Sequence, residues 1–361
     1  MNRQWLRQTI RGFQPYKVPP LNEHIILNAN ESPYNIFDFP DVKEEIYRSL
    51  ETVQPFHYPE PFADGVRAAL AQYVGVQPAE VLAGNGGDEI IQLILNAFIN
   101  PGDTVLVHSP TFDVYALDAQ ILGAKIVSVA DGSDFQRDAA GFLKKIKELQ
   151  PKVTFICNPN NPTGSIWPTD IIEEMVAASP NPVVVDEAYL EFSGQESIIS
   201  RLPQHDNLVV IRTLSKAFGL AGIRLGYGVA QAEVIDAISL TKAAYNLNRI
   251  TQLMGEAVLH HADEILSHNV PPTIEAREYL IAGINALPGL QAYPSATNFI
   301  LVRTPDVGRI VRALNDADIA VRAYGGREDL ANCLRISVTT KQVAERVLQV
   351  IGKEVAGCAQ C

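Results

Sequence analysis

The chain has 361 residues, 47% of them hydrophobic, and a formal net charge of -12. That length can bury a large core and suits two domains, while the acidic balance lacks the clustered Lys and Arg that nucleic-acid binding requires. No apolar run reaches the ~20 residues of a membrane helix, so no membrane partner is expected.

Residues 1–18 carry Arg3, Arg7, Arg11 and Lys17 and no acid. A mitochondrial leader can look like this, but the segment lacks serine richness. Trp5, Leu6 and Ile10 instead predict an apolar helical edge on a packed arm. The first thirty residues hold little that could fold alone, so they are expected to dock on a smaller domain or a partner subunit.

From about residue 80 to 230, runs rich in Val and Ile alternate with helical patterns. The runs are Thr104-Val-Leu-Val-His108, Lys125-Ile-Val-Ser-Val129, Val153-Thr-Phe-Ile-Cys157, Val183-Val-Val-Asp186, Leu208-Val-Val-Ile211 and Leu225-Gly-Tyr-Gly-Val229. Helical periods lie between several of them, as in 142–149 and 171–178, and Pro151, Pro180 and Pro182 punctuate the turns. Such alternation predicts an α/β fold: a mostly parallel sheet between two helical layers.

After about residue 248 the texture changes. A long helical stretch passes through Met254, Val258 and Ile265, and a second is expected after Pro272. Then come the strand Asn298-Phe-Ile-Leu-Val302, a helix over 307–317, the strand Ile319-Ala-Val321, the strand Cys333-Leu-Arg-Ile-Ser-Val338 and a closing helix. The expected organisation is an N-terminal arm (1–35), a large three-layer αβα domain (36–247) and a smaller α+β domain (248–361). Four cysteines make no disulfide framework in a chain this long. Cys157 and Cys333 read as core; Cys358 and Cys361 read as a loose tail with no second pair to bind a metal. A cytoplasmic location is expected.

In open α/β sheets, ligands gather beyond the carboxyl ends of strands. Four motifs lie at such ends. Gly84-Asn-Gly86-Gly87-Asp88-Glu89 precedes an apolar helix over 90–98 and could free backbone N–H groups for a phosphate, or simply cap the helix. Asn158-Pro-Asn-Asn161-Pro-Thr-Gly164 follows a strand directly, and its stiff turn can fix Asn161 as a donor. Asp186-Glu-Ala-Tyr189 ends the next strand, where a buried carboxylate needs a cation or several donors, unless it caps a helix. Opposite a pyridine nitrogen it would keep that nitrogen protonated.

The fourth motif is Thr213-Leu-Ser215-Lys216-Ala-Phe-Gly-Leu-Ala-Gly-Ile-Arg224. A lysine at a strand end is costly to bury unless its amine is used, although it could also be an exposed lysine opening a helix. Joining an aldehyde cofactor is such a use, and the flanking hydroxyls and Arg224 suit that cofactor's phosphate. The motifs stand about 25 residues apart from Asn161 to Asp186 and about 30 from there to Lys216, each roughly one strand and helix.

In these motifs, their order and their spacing, the chain resembles the fold-type I pyridoxal-phosphate aminotransferases. It most resembles the histidinol-phosphate aminotransferases, over about residues 13–348. Leu27-Asn-Ala-Asn-Glu-Ser-Pro-Tyr34, Tyr58-Pro-Glu-Pro61 and Asn332-Cys-Leu-Arg335-Ile-Ser-Val338 add to the likeness.

The resemblance implies pyridoxal 5'-phosphate as cofactor, with Lys216 as the lysine that joins its aldehyde and moves the substrate's proton. It implies that Asp186 pairs with the pyridine nitrogen, that Asn161 and Tyr189 bond the ring oxygen and that Phe112 covers the ring face. Gly87, Asp88, Thr213, Ser215 and Arg224 are implied around the phosphate. Relatives often have a serine at Gly87 and a tyrosine at Phe112, so one hydroxyl contact is expected to be missing at Gly87. Tyr58 is implied to reach the phosphate across a homodimer interface, and Tyr16 to close over the partner's substrate. Arg335 is implied as the carboxylate fork and Arg322 as a second phosphate anchor, with no metal required. Ala323-Tyr-Gly-Gly follows Arg322 where a proline is common, which leaves the substrate more open than the reaction.

The expected activity is transfer of the amino group of L-histidinol phosphate to 2-oxoglutarate, giving imidazole acetol phosphate and L-glutamate in histidine biosynthesis. The alternatives are an aromatic amino-acid aminotransferase, a threonine-phosphate decarboxylase and a cofactor-binding regulator without catalysis. The intact Lys216 and the lack of an appended DNA-binding segment speak against the last.

Overall fold

The computed structural model describes residues 3–14 and 22–358. The strands among these residues are β1 (Ile25–Leu27), β2 (Val81–Asn85), β3 (Thr104–Ser109), β4 (Lys125–Ala130), β5 (Val153–Cys157) and β6 (Val183–Asp186). They continue with β7 (Leu208–Thr213), β8 (Leu225–Val229), β9 (Gln291–Ala292), β10 (Phe299–Arg303), β11 (Ile319–Ala323) and β12 (Cys333–Ser337). The helices are α1 (Pro40–Glu51), α2 (Asp64–Val74), α3 (Gly86–Phe98), α4 (Val114–Ile121), α5 (Ala139–Leu149) and α6 (Thr169–Ala178). After them come α7 (Ala232–Ser239), α8 (Arg249–His260), α9 (Ala262–Asn285), α10 (Val307–Asp316) and α11 (Lys341–Cys358).

The larger sheet has the order β2-β8-β7-β6-β5-β3-β4. Its centre is parallel, from β4 through β3, β5 and β6 to β7, and only β8 runs the other way, antiparallel to both β7 and the edge strand β2. The Val-rich strands serve two cores because successive side chains face opposite ways. Val183 and Val185 pack with Ile46, Phe142 and Met175 on one face. Val184 packs with Ile90, Ile94 and Tyr115 on the other. This is the α/β sandwich that the alternation predicted.

Three local readings differ. The segment Val81–Asn85, with no β-branched run after its first residue, is nonetheless a strand, paired along its length with β8. The helix after it begins at Gly86 rather than at residue 90. The third difference is α9, which runs straight through Pro271 and Pro272 where a helix start was expected. Two prolines forfeit helical hydrogen bonds, but tertiary bonds hold the flanking turns. Asn269 donates to the Ala217 carbonyl at 3.0 Å, and Arg277 donates to the carbonyls of Phe192 and Thr297. Before it, α8 sinks Met254, Ala257 and Val258 into the core of the larger sheet.

The smaller sheet has the order β1-β11-β12-β10-β9. One face, with Ile300, Val302, Leu334 and Ile336, packs on Leu280 of α9, Ile310 of α10 and Val347 of α11. The opposite face carries Phe299, Leu301, Arg335 and Ser337 and turns toward the larger sheet, where Phe299 meets Tyr189 and Ala217. The N-terminal segment is not the packed helical arm expected. Arg3–Trp5 and Gln8–Ile10 are single 3-10 turns, Trp5 is 81% exposed, and Thr9 donates to the Ile121 carbonyl at the end of α4. Among the described residues of this region, β1 alone joins the smaller sheet, beside β11.

Candidate active site

Lys216 lies in the turn after β7, between the two sheets. Its amine donates to the Ala29 carbonyl at 3.0 Å and has no carboxylate partner among the described residues. Burial, followed by the positive charge of Arg335, draws its pKa from the usual 10.5 down to about 8, against an opposing pull from Glu31. A lysine in that state is a nucleophile near neutral pH.

Asp186 ends β6 and is buried. The Tyr115 hydroxyl donates to one carboxylate oxygen at 2.5 Å and the Ala188 N–H to the other at 3.0 Å. Burial pushes its pKa up to about 6, and those two donors hold it below where burial alone would take it. A carboxylate so desolvated would gain from a cation placed against it.

Tyr189, three residues on, receives a hydrogen bond from Asn30 Nδ2 at 3.0 Å and a longer one from Asn161 Nδ2 at 3.5 Å. Burial raises the pKa of its phenol, so it remains a donor. Its ring centroid lies 5.8 Å from Lys216 Nζ. Asn161 accepts from Arg335 Nη1 at 2.7 Å. The turn that bears it is fixed from behind: the Asn158 N–H donates to the Asp186 carbonyl, and Asn158 Oδ1 accepts from half-buried Arg137. Asn160, two residues after Asn158, accepts from Thr111 and donates to the Pro110 carbonyl, tying the turn to the loop that bears Phe112. Phe112 is half-buried, edge-on to Tyr115 at 5.5 Å.

The opposite end of the cluster suits an anion. The first turn of α3 leaves the N–H groups of Gly87 and Asp88 without helical partners. Arg224, in the left-handed region at φ 59°, reaches back over this turn and pairs with Asp88 at 3.2 Å. Its approach needs glycine at 86, because a Cβ there would lie 2.5 Å from Arg224 Nη2. Gly226 of β8 is needed likewise, since its Cβ would lie 2.3 Å from the Gly86 carbonyl carbon. Thr213 donates to the Leu225 carbonyl and receives the Ser215 N–H, which leaves the buried Ser215 hydroxyl without a protein partner among the described residues.

These residues fit pyridoxal phosphate. A glycine-built cradle with a cation stands at one end, a buried carboxylate at the other, and a phenol, an amide and an unpaired amine lie between them.

Arg335 is buried on the inner face of the smaller sheet. Among the described residues it donates, besides Asn161, only to the Asn28 carbonyl, at 2.7 Å, and its Nε finds no partner. Arg322 stands directly opposite it in register across β11 and β12, with neither a hydrogen bond nor an ion pair among the described residues. Two adjacent guanidinium groups without a carboxylate favour a bound anion. Tyr58 takes no part in this cluster within the chain: it is 82% exposed and stacks on Tyr245 at 4.6 Å. Tyr16 lies outside the described residues, as does Cys361.

Three groups escaped the motif reading. Tyr115 carries no motif and meets Asp186 only through the fold. Asn30, buried at φ 56°, bonds Tyr189, Ser337 and Asn298 and so joins the two sheets. Glu31 acts on Lys216 through its charge. For Asn30 and Glu31 the available signal was the polar string Asn28-Ala-Asn30-Glu31 directly after an apolar strand.

Comparison with known proteins agrees with this geometry. Residues 22–351 match the family described as aminotransferase class I and II. A histidinol-phosphate aminotransferase of Thermoanaerobacter sp. (strain X514) is 39% identical over 335 residues, 93% of this chain and 94% of that protein. One from Thermobifida fusca (strain YX) is 39% identical over 345 residues, 93% of this chain and 92% of that protein. The crystal structure of histidinol-phosphate aminotransferase from Sinorhizobium meliloti in complex with pyridoxal-5'-phosphate shares the fold, with a TM-score of 0.87 at 24% identity over 98% of each chain. With its family match spanning most of its length and its lysine, carboxylate and anion cradle converging on one point, the chain belongs to the class I and II aminotransferases.

Proposed function

We propose that this enzyme transfers the amino group of L-histidinol phosphate to 2-oxoglutarate, with pyridoxal phosphate as cofactor, in histidine biosynthesis. The observation that carries the reading is the facing pair Arg322 and Arg335, without a carboxylate partner among the described residues, with the charge of Arg335 acting on Lys216. The names of the relatives 39% identical to this chain point to the same substrate.

When bound, pyridoxal phosphate supplies an aldehyde for the substrate amine and a ring that withdraws electrons from the amine-bearing carbon. Gly87 and Asp88 N–H, Thr213, the Ser215 hydroxyl and Arg224 would hold its phosphate. Asp186, steadied by Tyr115, would keep a proton on the ring nitrogen, and Asn161 and Tyr189 would bond the ring oxygen. Phe112 covers one ring face, which needs only aromatic surface. Lys216 Nζ would hold the cofactor's aldehyde carbon and would serve as the base that takes the proton from the amine-bearing carbon. Arg335 takes the carboxylate of glutamate as a planar fork, and Arg335 with Arg322 takes the phosphate of histidinol phosphate.

The working unit in this reading is a homodimer. Phe56, Tyr58, Phe62, Leu240 and Tyr245 are large apolar side chains left exposed, and apolar patches of this kind mark protein contacts. Across that contact Tyr58 would reach the cofactor phosphate of the neighbouring subunit. The buried free thiols Cys157 and Cys333 suit a reducing cytoplasm, and no helix among the described residues is long and apolar enough to cross a membrane.

Half-reactions on the cofactor-loaded enzyme test the assignment. L-Histidinol phosphate and L-glutamate are expected to convert the bound cofactor rapidly, with L-phenylalanine slow. Fast conversion by phenylalanine and none by histidinol phosphate would move the enzyme to aromatic amino acids.

A further inference from the structure

Tyr324 directly follows β11 and has no part in the site described above. In the pairing of β11 with β12, Arg322 faces Arg335 and Ala323 faces Leu334. Leu334 belongs to the helix-covered core, so strand alternation sets Arg322 and Arg335 on the other face, and Tyr324, two residues after Arg322, on that face with them. Packing agrees. The Tyr324 side chain lies against the cluster of Phe135, Tyr293, Leu301, Leu330 and Cys333, and Leu301 is the register partner of Arg335. The apolar body of the ring is therefore anchored, while its hydroxyl has no hydrogen-bond partner among the described residues. Burial raises the pKa of this phenol, and the positive charges acting on it come from Arg335, Arg322 and Arg327. Asp113, which pairs with Arg327, acts in the opposite sense, so the hydroxyl is a protonated donor whose unneutralised neighbours are Arg322 and Arg335.

We propose that Tyr324 is a substrate-binding residue that donates its hydroxyl hydrogen to the phosphate of the amino donor, beside Arg322 and Arg335, and so favours phosphate-bearing over carboxylate-bearing substrates. The discrimination follows from shape. The planar fork of Arg335 engages both oxygens of a carboxylate, whereas a tetrahedral phosphate offers further oxygens out of that plane. This inference rests on the histidinol-phosphate reading.

The test is Tyr324→Phe in the pyridoxal-phosphate-loaded enzyme, which keeps the ring and its packing. A hydrogen bond to a charged group is worth roughly 1.5–3 kcal/mol, so half-saturation by L-histidinol phosphate should rise about ten-fold or more. Half-saturation by L-glutamate and by unphosphorylated L-histidinol should stay unchanged. The inhibition constant of inorganic phosphate against the glutamate half-reaction should rise by a similar factor. Equal losses with all three donors, or no change with histidinol phosphate and inorganic phosphate, would overturn the proposal. If the unsubstituted enzyme fails to convert histidinol phosphate, the substrate reading falls, and phosphate inhibition still decides for or against Tyr324. Absence of phosphate inhibition in the unsubstituted enzyme would count against it.

Discussion

Tyr115 and Asp186 form a buried pair, the tyrosine hydroxyl donating to the carboxylate at 2.5 Å. Tyr115 is stacked on Phe155 at 4.7 Å and has no freedom to turn away. One member comes from a helix on the face of the larger sheet and the other from the end of its central strand β6. The bond keeps Asp186 more acidic than its burial would allow, which matters for a group that must stay ionised against a pyridinium.

Replacing Tyr115 with Phe should therefore raise the Asp186 pKa above about 6. In the ligand-free protein a carboxyl whose folded pKa exceeds its ordinary 3.8 contributes stability that is full below the ordinary value and lost as pH rises through the folded one. Tyr115→Phe should move that loss to higher pH, seen in melting temperatures recorded from pH 4 to 8. In the loaded enzyme, kcat should fall about three- to ten-fold near pH 6.5, the size expected from roughly 1 kcal/mol, and recover in part toward pH 8.5. A pH-independent effect would contradict the role.

The depressed pKa of Lys216 sets a second expectation. Attack on the cofactor's aldehyde needs the neutral amine, whose fraction grows as pH rises through about 8 rather than through 10.5. The rate of cofactor attachment to the ligand-free enzyme should climb with pH and level off soon above 8, as followed by visible absorption. Arg335→Gln removes a positive charge that lowers this pKa and should move the plateau upward.

The same arginine should govern carboxylate substrates. Arg335→Gln should lower kcat/KM for glutamate by about 100-fold, since a charge-assisted fork is worth ~3 kcal/mol, with cofactor affinity little changed. A loss of cofactor binding to match would assign Arg335 to the cofactor instead.

Two glycines of the anion cradle should respond in opposite ways. A Cβ at Gly87 would meet only Ile211 Cγ2, at an ordinary 3.5 Å. Gly87→Ser should fold normally and tighten cofactor binding several-fold, as one added hydrogen bond of ~1 kcal/mol allows. A Cβ at Gly226 would lie 2.4 Å from the Gly87 nitrogen and closer still to the Gly86 carbonyl carbon. Gly226→Ala should displace the first turn of α3 and weaken cofactor binding by more than ten-fold in equilibrium titration.

The sequence was most readable where one kind of force acts alone. Val- and Ile-rich strands buried on both faces, such as β6 and β7, announce themselves by composition, and so does the lysine turn that follows β7. The strand β2 does not, because Gly84 leaves room for the Glu89 carboxylate, which accepts from the Asn85 N–H and Nδ2, and these contacts rather than β propensity place it. The prolines of α9 mislead for a similar reason: bonds from Asn269 and Arg277 to distant carbonyls outweigh a local penalty. Within the site, Lys216, Asp186, Tyr189 and Asn161 stand in recognisable strings. Tyr115 acts through one side-chain contact across a long stretch of sequence, which no local pattern marks, and Asn30, though it stands in a polar string, meets Tyr189, Ser337 and Asn298 only in the fold.

The central claim is that Lys216 carries the cofactor. Reduction of the pyridoxal-phosphate-loaded enzyme with borohydride, followed by mass mapping of its peptides, tests it most directly. The account predicts one pyridoxyl adduct, on the peptide containing Lys216, and none when Lys216→Ala is treated in the same way. An adduct on a different lysine, or an unmodified Lys216 in an enzyme that still transaminates, would contradict it.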